Sequence, residues 1–581
     1  MMQPIWLLLL LIGLFHLSHQ ATNTWVWRCN QEVCVRQHSN KNSIQTNVFR
    51  SIEECRLVCG ADGSIWPLPS VKFNKSSKLL DINPNEITFE LVGSDPVKEI
   101  LEENVKIFKK NILSECRGAC GSDGEALNIK VIVNSTDVSL NWETDESYEL
   151  KSNNLFWKIN AATVFGARHG LESLSQLIAA YNAQDKIGLV TVANVHIVDK
   201  PFYKHRSLMI DTGRNFLTVE TIKRQIDAMA SSKLNILHWH ITDSQSFPYV
   251  SVRVPNLSRF GSFSENQVYN PQDIKELRDY AKIRGIRILM EIDAPSHAGN
   301  GWQWGPHKAL GNLSVCVNKQ PWRYNCIQPP CGQLNPANIQ VYNVLNALYK
   351  DIVEQFPESE FFHMGGDEVY FPCWNSTPEI VNYMKQQGKG QNKGDLLDLW
   401  GEFQENALAA YDSAVGNSDT KILLWSSELT NPEAIEKYLD KNRYIIETWV
   451  PSYDPLPQSL LEKGYKLVIS TKNAWYLDHG FWGNTKYYTW RNVYENRLIN
   501  HRNVIGGEVC MWGELVNGDA IDSRVWPRAA AAAERLWSNS YATTKQVEAR
   551  MYRHRERLIS RGIAAEALTP FWCYQNEGQC L

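Results

Sequence analysis

Residues 205–243 read HRSLMIDTGRNFLTVETIKRQIDAMASSKLNILHWHITD. An apolar run that ends at Asp211 is followed by a segment with helical spacing, 219–233, and then by a second apolar run that ends at Asp243. This order of strand, helix and strand is typical of parallel sheets, whose strands are joined by crossover helices. The alternation continues to about residue 560, with further strands at GIRILMEIDAPSH, SEFFHMGGDE, KILLWSS, RYIIETWV, KLVIST and NVIGGEVCMWGE. Eight strands with intervening helices predict an α/β fold of the closed (β/α)8 type, the TIM barrel, rather than an open doubly wound sheet.

The chain outside the barrel is predicted to form smaller parts. An apolar run, Ile5–Leu14, followed by small and polar residues predicts a secretory signal peptide. Ahead of the barrel, strand-like runs surround one predicted helix at 165–182, which indicates a compact α+β domain. No later segment has the roughly 20 apolar residues that a membrane span needs. The predicted parts are a signal peptide (1–21), a Cys-rich segment (22–62), an α+β accessory domain (63–200), the barrel (201–560) and a C-terminal tail (561–581).

The composition excludes one class of partner and indicates a compartment. The 581 residues include 59 Lys and Arg against 63 Asp and Glu, a formal charge of −4, so there is no basic footprint for nucleic acid. Thirteen Cys in tight groups suit small disulfide loops in an oxidising compartment. The number is odd, and Cys510 is the predicted free thiol. We predict a protein of the secretory pathway, extracellular or lysosomal or vesicular, with glycosylation sequons at Asn74, Asn134, Asn256, Asn312 and Asn375.

The predicted barrel strands end in acids and tryptophans. In such barrels the active site lies at the carboxyl ends of the strands. Carboxyl groups can cleave a glycosidic bond, and flat indole rings stack on sugars. The pattern therefore predicts a carbohydrate site at this rim, formed by Asp211, Asp243, Glu291, Asp293, Asp367, Glu368, Trp425, Trp449, Glu508, Trp512 and Glu514.

Two of these acids are adjacent, in the stretch FFHMGGDEVYF at 361–371. A pair of carboxyls about 5–9.5 Å apart would suit ordinary glycoside hydrolysis, and several rim acids could supply it. Adjacent Asp367 and Glu368 fit better a substrate whose own 2-acetamido oxygen attacks the anomeric carbon. One acid then serves as general acid/base and the other orients the acetamido group. Gly365 and Gly366 would give the backbone freedom to direct both acids inward.

The stretch resembles glycoside hydrolase family 20, the β-N-acetylhexosaminidases, and the resemblance extends over essentially the whole mature chain. The matching motifs are GLESLSQL, DTGRNF, NILHWHITDSQSFP, EIDAPSHAG, CGQLNP, HMGGDEVYF, ETW, WYLDHG, CMWGE and WPRAAAAAERLW. The Cys-rich leader and the closing WCYQNEGQC resemble the arthropod, chitooligosaccharidolytic branch. The resemblance implies a retaining exo-β-N-acetylhexosaminidase that releases terminal β-GlcNAc or GalNAc from chitooligosaccharides or N-glycans. It implies no cofactor, and it implies a homodimer.

The resemblance also implies roles for individual residues. Glu368 would be the general acid/base, Asp367 would hold the acetamido nitrogen, and Tyr476 would donate to the acetamido oxygen. Asp243 and His297 would position and tune Glu368. The residues that would bind the terminal sugar are Arg214, Asp478 and Glu514 at its hydroxyls and Trp425, Trp449 and Trp512 at its faces. We expect the disulfides Cys316–Cys373, Cys326–Cys331 and Cys573–Cys580, while the pairing of the four leader cysteines stays open.

The sequence departs from the chitin-degrading members where a second sugar would bind. Those members typically have a Glu just before the PPCGQLNP stretch, where this chain has Gln328. They also have a longer loop after the Tyr-x-Asp motif than this chain does. Trp322 is retained, and the shortened loop carries Trp482. We therefore expect Trp322 and Gln328 to contact the second sugar in a subsite less specialised for chitin. Trp482 is a candidate replacement for the missing stacking surface, whereas Trp490 aligns with a different tryptophan.

Two other interpretations compete with this one. His238 and His240 lie two apart on a strand, as in metal-dependent barrel hydrolases, and His297 and His363 are the available further ligands. The same HWH belongs to the family pattern without metal, so we expect no metal. The alternative function is an inactive, lectin-like protein that only binds sugar. The intact Asp367–Glu368 pair argues against that alternative.

Overall fold

The computed structural model describes residues 25–38, 48–183, 186–416 and 419–580, so the predicted signal peptide lies outside the described residues. A closed barrel of eight parallel strands confirms the predicted (β/α)8 fold. Its last strand pairs with its first, with Cys510 opposite Met209. Barrel strands 1 to 8 are His205–Asp211, Ile236–His240, Arg287–Glu291, Phe361–His363, Lys421–Trp425, Tyr444–Thr448, Lys466–Ile469 and Val504–Met511.

Side chains fill the barrel in layers, because alternate residues of each strand point inward. Near the amino ends of the strands, the layer is apolar and consists of Ile236, Leu289, Leu423, Ile445 and Val468. The next layer is buried and polar, and its members are His238, Glu291, His363, Glu447 and Glu508. Above it lie Met209, Trp425, Tyr476 and Cys510. The polarity of the interior therefore changes along the barrel axis, from apolar to charged to aromatic.

Helices surround the barrel, and local signals define their starts. The Thr218 hydroxyl accepts from Thr221 N (3.2 Å) at the start of one helix, and Asn270 begins another with a capping box followed by a proline. No helix among the described residues is long and apolar enough to cross a membrane. The helices from residue 219 onward are Val219–Ser231, Asn256–Gly261, Pro271–Ile283, Ile339–Gln355, Phe371–Asn375, Pro378–Gln386, Lys393–Val415, Ile435–Tyr438, Leu456–Glu462, Lys472–Trp475, Trp490–Glu495, Ile521–Val525, Arg528–Ser538, Thr544–Ser560 and Phe571–Gln575.

A long connection follows barrel strand 3 and carries part of the rim. It contains two 3₁₀ helices, Gly305–Lys308 and Trp322–Tyr324, and a short antiparallel ribbon of Ser314–Val315 with Gln333–Leu334. Two disulfides hold this connection, Cys326–Cys331 within it and Cys316–Cys373 to the segment after barrel strand 4.

An eight-stranded mixed sheet precedes the barrel, as the predicted α+β domain requires. Two helices, Asp95–Glu115 and Val164–Ser175, pack against it. The second helix is buried over its whole length, because it lies between the sheet and the barrel, and Arg168 Nη2 donates to Ala230 O there (2.5 Å). The strands are Lys72–Lys75, Leu79–Val92, Glu125–Val133, Tyr148–Asn153, Phe156–Ala161, Ile178–Ala183, Lys186–Val192 and Val195–Asp199.

Two helix predictions in this region were wrong. The helix predicted at 165–182 ends at Ser175, because Ile178–Ala183 pairs as a strand with Lys186–Val192. Gln176 marks the change, since its amide exchanges hydrogen bonds with the backbone N and O of Trp66 (2.7 and 2.8 Å). The helix Asp95–Glu115 was missed, although its buried positions follow helical spacing and a proline stands in its first turn.

The Cys-rich segment and the C-terminal tail pack together. The segment forms a hairpin, Trp25–Asn30 with Val33–His38, and a helix, Ile52–Val58. Glu577 of the tail accepts from Cys34 N (2.7 Å) and forms an ion pair with Arg56. The other disulfides are Cys29–Cys59, Cys34–Cys55, Cys116–Cys120 and Cys573–Cys580.

A buried ion pair joins the start of the accessory domain to the barrel. Arg550 donates through both terminal nitrogens to the fully buried Glu534 (2.7 and 2.9 Å) and also to Ile65 O (3.0 Å). Glu534 in turn accepts from Leu68 N (2.9 Å). Glu534 also accepts from the Tyr494 hydroxyl (2.9 Å), and Arg550 Nε lies 3.8 Å from the more exposed Asp62, so Glu534 is the only buried anion paired with Arg550 among the described residues.

We predict that Glu534→Ala lowers the free energy of unfolding by about 3–5 kcal/mol, because it leaves the Arg550 guanidinium buried without its anion. The melting temperature of the secreted protein measures this loss. Glu103→Ala is the control, since its pair with Lys106 lies at the surface (2.5 Å) and should change the melting temperature little. Equal effects of the two substitutions would contradict the prediction.

Candidate active site

The backbone bends sharply where barrel strand 4 ends. Gly365 and Gly366 have φ values of 63° and 82°, and Glu368 also lies in the left-handed region at 50°. Gly366 N donates to Asp293 Oδ1 (3.0 Å) at the end of barrel strand 3, and a Cβ on Gly365 would lie 1.9 Å from that oxygen. These turns direct the adjacent Asp367 and Glu368 into one site, which a regular strand would not do.

A chain of charged side chains leads away from Glu368. His297 Nε2 lies 3.3 Å from Glu368 Oε2, and His297 Nδ1 lies 3.4 Å from Asp243 Oδ1. The other oxygen of Asp243 contacts Arg214 Nη2 (2.9 Å) and His240 Nε2 (3.0 Å). The structure therefore brings Asp243 and His297 together behind Glu368.

These contacts shift the protonation of the acid and the imidazole. Burial by itself would raise the pKa of Glu368, but the hydrogen bond and charge of His297, with the charge of Arg214, lower it below its ordinary value. Burial would lower the pKa of His297, but the charge of Asp243 and hydrogen bonds to both acids raise it well above its ordinary value. His297 is thus an imidazolium that favours the carboxylate form of Glu368.

Asp367 lies in a different environment from its neighbour. Burial raises the pKa of Asp367 to about 6. The charge of His297 acts in the opposite direction and lowers this pKa, whereas the charge of Glu368 raises it further. Burial and the charge of Asp367 raise the pKa of Asp293 well above its ordinary value. The Asp367 Oδ1 atom is buried and has no hydrogen-bond partner among the described residues. Asp367 and Glu368 are adjacent in the sequence but therefore differ in their affinity for a proton.

Aromatic side chains from four strand ends form one wall of the site. The Trp425 and Trp512 rings lie 5.8 Å apart, and Tyr476 lies 6.3 Å from Trp512. Trp425 Nε1 donates to Glu291 Oε1 (2.7 Å), and Trp449 Nε1 donates to Ser426 O (2.6 Å). Trp425 and Trp449 are thus held in place by hydrogen bonds at the edges of their rings.

The predicted hydroxyl-binding residues form a second wall. Arg214 Nη1 contacts Asp211 Oδ2 (3.1 Å), and Arg214 Nη2 donates to Gln328 Oε1 (2.8 Å). Gln328 Nε2 donates to Glu514 Oε1 (2.9 Å). Gln328, which we expected at the second sugar, therefore bridges two residues expected at the first. The Cys326–Cys331 loop makes this possible, because it turns the neutral amide inward, where it can accept from a cation and donate to an anion.

The predicted second-sugar tryptophans have different surroundings. Trp482 is 42% exposed, and its Nε1 donates to Asp478 Oδ2 (2.9 Å). Burial, against the hydrogen bond from Trp482, raises the pKa of Asp478 to about 7. Trp322 is partly exposed on the disulfide loop, with the Arg323 guanidinium 4.3 Å from its ring centroid. Trp490 is buried at the start of a helix and does not reach the site.

Three further residues shape the site: Glu291 and Asp293, which were predicted at the rim without individual roles, and Lys472, which was not predicted. Asp293 accepts from the bend after barrel strand 4, and Glu291 holds Trp425. The Lys472 ammonium lies 4.4 Å from the Trp449 ring centroid, and its charge contributes to the lowered pKa of Glu368. The two acids stood at a predicted strand end, which was the usable signal. Lys472 begins the short helix Lys472–Trp475, and its position in the sequence carried no such signal.

The HWH histidines are bound by carboxylates. His238 Nδ1 lies 2.9 Å from Glu508 Oε1, and His240 Nδ1 lies 2.6 Å from Glu291 Oε2. Against the effect of burial, these acids raise the pKa of His238 to about 10 and that of His240 well above its ordinary value. Three donor groups here are close enough for a metal, His238/His363/Glu447, His240/Asp243/Asp293 and Asp293/His297/Asp367. A protonated imidazole has no lone pair for a metal, so His238, His240 and His297 suit ion pairs better than coordination.

The remaining predicted sites lie away from this rim or beneath it. Cys510 is buried without a disulfide and packs under the aromatic wall. Among the sequon asparagines, Asn74, Asn134 and Asn312 are exposed. The other two, Asn256 and Asn375, are partly buried.

Family models match most of the chain. The model described as "Glycosyl hydrolase family 20, catalytic domain" matches residues 203–540, which contain the barrel. A second model, described as "beta-acetyl hexosaminidase like", matches residues 65–177 in the preceding sheet.

Curated relatives and solved structures agree with these matches. The chitooligosaccharidolytic beta-N-acetylglucosaminidase of Ostrinia furnacalis is 40% identical over 96% of this chain and 95% of its own. The probable beta-hexosaminidase fdl of Drosophila melanogaster is 36% identical over 97% and 93%, and the human beta-hexosaminidase subunit beta is 36% identical over 75% and 74%. The crystal structure of a Flavobacterium johnsoniae chitobiase is 25% identical, covers 86% of this chain and 73% of its own, and superposes with a TM-score of 0.68.

We predict that Gly365→Ala destabilises the protein by roughly 2–5 kcal/mol, for two reasons. The new methyl group would clash with the Asp293 carboxylate, and alanine is strained in the left-handed backbone conformation at this position. Gly388→Ala is the matched control. It has a similar φ of 71° but no heavy atom within 4 Å of a new Cβ, so it should cost only about 1–2 kcal/mol. Thermal unfolding of both variants measures the two losses of stability. Equal losses would contradict the role assigned to the contact between Gly365 and Asp293.

Proposed function

Because the chain belongs to glycosyl hydrolase family 20 and is a glycoside hydrolase of the β-hexosaminidase type, we propose that it is a retaining exo-β-N-acetylhexosaminidase that uses substrate-assisted catalysis. One observation carries the proposal. Four residues expected at the terminal sugar each have a buried polar atom without a hydrogen-bond partner among the described residues: Arg214 Nε, Asp367 Oδ1, Asp478 Oδ1 and Glu514 Oε2. Unpaired buried polar groups are costly, and a hydroxylated, acetamido-bearing sugar would supply their partners.

In the proposed reaction, the sugar's acetamido oxygen attacks the anomeric carbon while Glu368 protonates the leaving oxygen. Asp367 accepts from the acetamido N–H and stabilises the positive charge of the cyclic oxazolinium intermediate, and Tyr476 donates to the attacking oxygen. Water then opens the ring, with Glu368 acting as base. The two inversions at the anomeric carbon give net retention. Charge interactions beside the buried aromatic wall are stronger than they would be in water, because the local dielectric is lower.

The pKa directions indicate how the substrate would prepare the pair. Before the sugar binds, Asp367, whose pKa is raised, holds a proton more tightly than Glu368, whose pKa is lowered. A hydrogen bond from the acetamido N–H stabilises the Asp367 carboxylate, and exclusion of water by the sugar destabilises the Glu368 carboxylate. Both effects move the proton to Glu368, where the reaction needs it.

We further propose that the second-sugar subsite is less specialised for chitin than in the insect relatives named for that activity. The Gln328 amide is engaged by Arg214 and Glu514, so it offers less to a second sugar. Trp482 presents a 42% exposed ring beside Asp478, which supports it as the stacking surface of the shortened loop. GlcNAc-terminated N-glycans are therefore proposed substrates beside chitooligosaccharides.

The proposed setting is the secretory pathway, extracellular or lysosomal. Six disulfides and exposed glycosylation sequons support an oxidising compartment. The domain division at 22–62, 63–200, 201–560 and 561–581 and a homodimer belong to the same proposal. Analytical ultracentrifugation of the secreted protein tests the dimer.

We predict that Asp367→Asn lowers kcat by about 10²–10³-fold, because an amide cannot stabilise the charged intermediate. The melting temperature should stay the same or rise, since the substitution removes a buried carboxyl whose ionised form is disfavoured. Kinetics on p-nitrophenyl β-GlcNAc and thermal unfolding measure the two effects. An active Asp367→Asn enzyme would refute substrate assistance.

We predict that His297→Asn moves the alkaline limb of the kcat/KM profile to higher pH. Activity falls on the alkaline side when the acid pair loses the proton that catalysis needs. The imidazolium charge of His297 lowers the pKa of both Glu368 and Asp367, so its removal should raise both values and shift that loss to higher pH. Asparagine tolerates the left-handed backbone at this position, where φ is 53°. A limb that stays in place or moves to lower pH sinks the proposed role of His297.

We predict comparable kcat/KM values on chitotriose and on a GlcNAc-terminated N-glycan, measured side by side. Trp482→Ala should weaken chitotriose cleavage by roughly 10-fold, as the loss of one aromatic contact implies. A strong preference for chitotriose would contradict the proposed subsite. Binding of both sugars by folded protein without cleavage of either would support the lectin-like alternative instead.

A further inference from the structure

A cavity lies at the end of the barrel opposite the candidate active site. It has a volume of about 210 Å³, many times the space that one water molecule needs. It opens at the amino ends of barrel strands 1 to 4, and its apolar wall includes Leu140, Ile236, Ile288, Leu289, Phe356 and Phe361. The amino-terminal end of such barrels ordinarily serves stability, so a cavity of this size there calls for an occupant.

The apolar layer of the barrel separates this cavity from the catalytic rim. Ile236 and Leu289 belong to both that layer and the cavity wall. The buried polar layer begins two residues further along the same strands, at His238 and Glu291. A ligand here would not contact Asp367, Glu368 or the residues that hold them.

Most charges at the mouth of the cavity have partners. Arg278 pairs with Asp279 (2.9 Å), and Lys282 pairs with Glu358 (2.8 Å). These groups are also partly exposed to solvent, so water can solvate them and a further charged ligand would add little binding energy. The paired charges thus form a solvated rim around a less polar interior.

Arg287 differs from these groups in its pairing, although it too is only partly buried. Its guanidinium makes no hydrogen bond and no ion pair within 4.0 Å among the described residues, although it lines both this cavity and a neighbouring one of about 240 Å³. Its carbon Cζ lies 5.6 and 6.0 Å from the ring centroids of Trp142 and Phe361. The nearby Glu360 is engaged by Trp142, whose backbone N donates to its carboxylate (2.5 Å). Burial lowers the pKa of Arg287 to about 10, so the group stays cationic at neutral pH.

A buried imidazole without a partner lies on the same side. His205 is 2% exposed, it lines the cavity, and its Nε2 atom has no hydrogen-bond partner among the described residues. Burial, with the charge of Arg287, lowers the pKa of His205 well below its ordinary value, so the ring is neutral. A neutral imidazole can donate one hydrogen bond to an anion. The cavity therefore combines an unpaired cation, an unpaired hydrogen-bonding ring and an apolar wall.

We propose that this cavity binds a small organic carboxylate with an apolar body, such as a medium-chain fatty acid. The carboxylate head pairs with the Arg287 guanidinium and accepts a hydrogen bond from His205, while the chain packs against Phe356, Phe361 and Leu140. A planar guanidinium matches a carboxylate in two parallel hydrogen bonds. A neutral ligand would leave the cation unpaired, and a sugar would bury hydroxyls against apolar side chains. This site is independent of the proposed catalytic function.

Isothermal titration of the full-length secreted protein with octanoate tests the proposal, with 1-octanol as the ligand that keeps the chain and lacks the charge. We expect one octanoate site and much weaker octanol binding. Arg287→Met should weaken octanoate by about 10-fold or more and leave octanol unchanged. Lys282→Met is the control in the same rim, and it should change octanoate affinity by less than about threefold, because its ammonium already has Glu358.

A variant that is expected to bind octanoate more tightly separates a specific effect on the site from a loss of binding through misfolding. Glu360→Gln removes a carboxylate that lines the cavity and would repel the bound carboxylate, so it should tighten octanoate binding, which an unfolded variant would not do. Glu368→Gln should leave octanoate affinity unchanged, since it alters only the catalytic rim. The proposal is overturned if octanoate does not bind the parent protein, if Arg287→Met binds it equally well, if Glu360→Gln weakens it, or if Glu368→Gln abolishes it.

Discussion

The contact between the Gly365 backbone and the Asp293 carboxylate is the constraint on which the catalytic rim depends. Asp293 Oδ1 accepts from Gly366 N at 3.0 Å and lies where a side chain on residue 365 would have to be. Barrel strands 3 and 4 are thereby locked together at their carboxyl ends, and the chain after strand 4 must pass through left-handed conformations. Only this path directs two adjacent acids to one place, so a backbone requirement sets the chemistry that the side chains can perform.

Electrostatic organisation follows from that arrangement. Acids and bases alternate from Glu368 through His297 to Asp243 and Arg214, so each buried charge has an opposite neighbour. Beneath them, His238, His240, Glu291 and Glu508 form a second set of buried pairs that holds Trp425 in the aromatic wall. Charges that are paired in this way are fixed before a substrate arrives, which is what stabilisation of a charged intermediate requires. The opposite end of the barrel lacks such pairing around Arg287, and there the structure offers a place for an external anion.

The fold was predictable because its signals are periodic and local. Eight apolar runs ended in polar residues, and all eight became barrel strands. Features that depend on contacts between distant segments were not predictable. The strand Ile178–Ala183 looked helical until its antiparallel partner was known, and the inward turn of Gln328 depends on a disulfide loop and on two residues over 100 positions away. The ion pairs of His238 and His240 likewise need partners from two other strands, so the HWH spacing alone left a metal site open.

The most direct test of substrate assistance is the response of the rate to the nucleophilicity of the acetamido oxygen. The measurement is kcat/KM for p-nitrophenyl β-GlcNAc and for analogues with one, two or three fluorine atoms on the acetyl group. If the substrate supplies the nucleophile, each fluorine withdraws electron density from the attacking oxygen, and kcat/KM falls steeply along the series. A series of nearly equal rates would mean that a protein carboxylate attacks instead, and it would contradict substrate assistance as the reason for two adjacent acids.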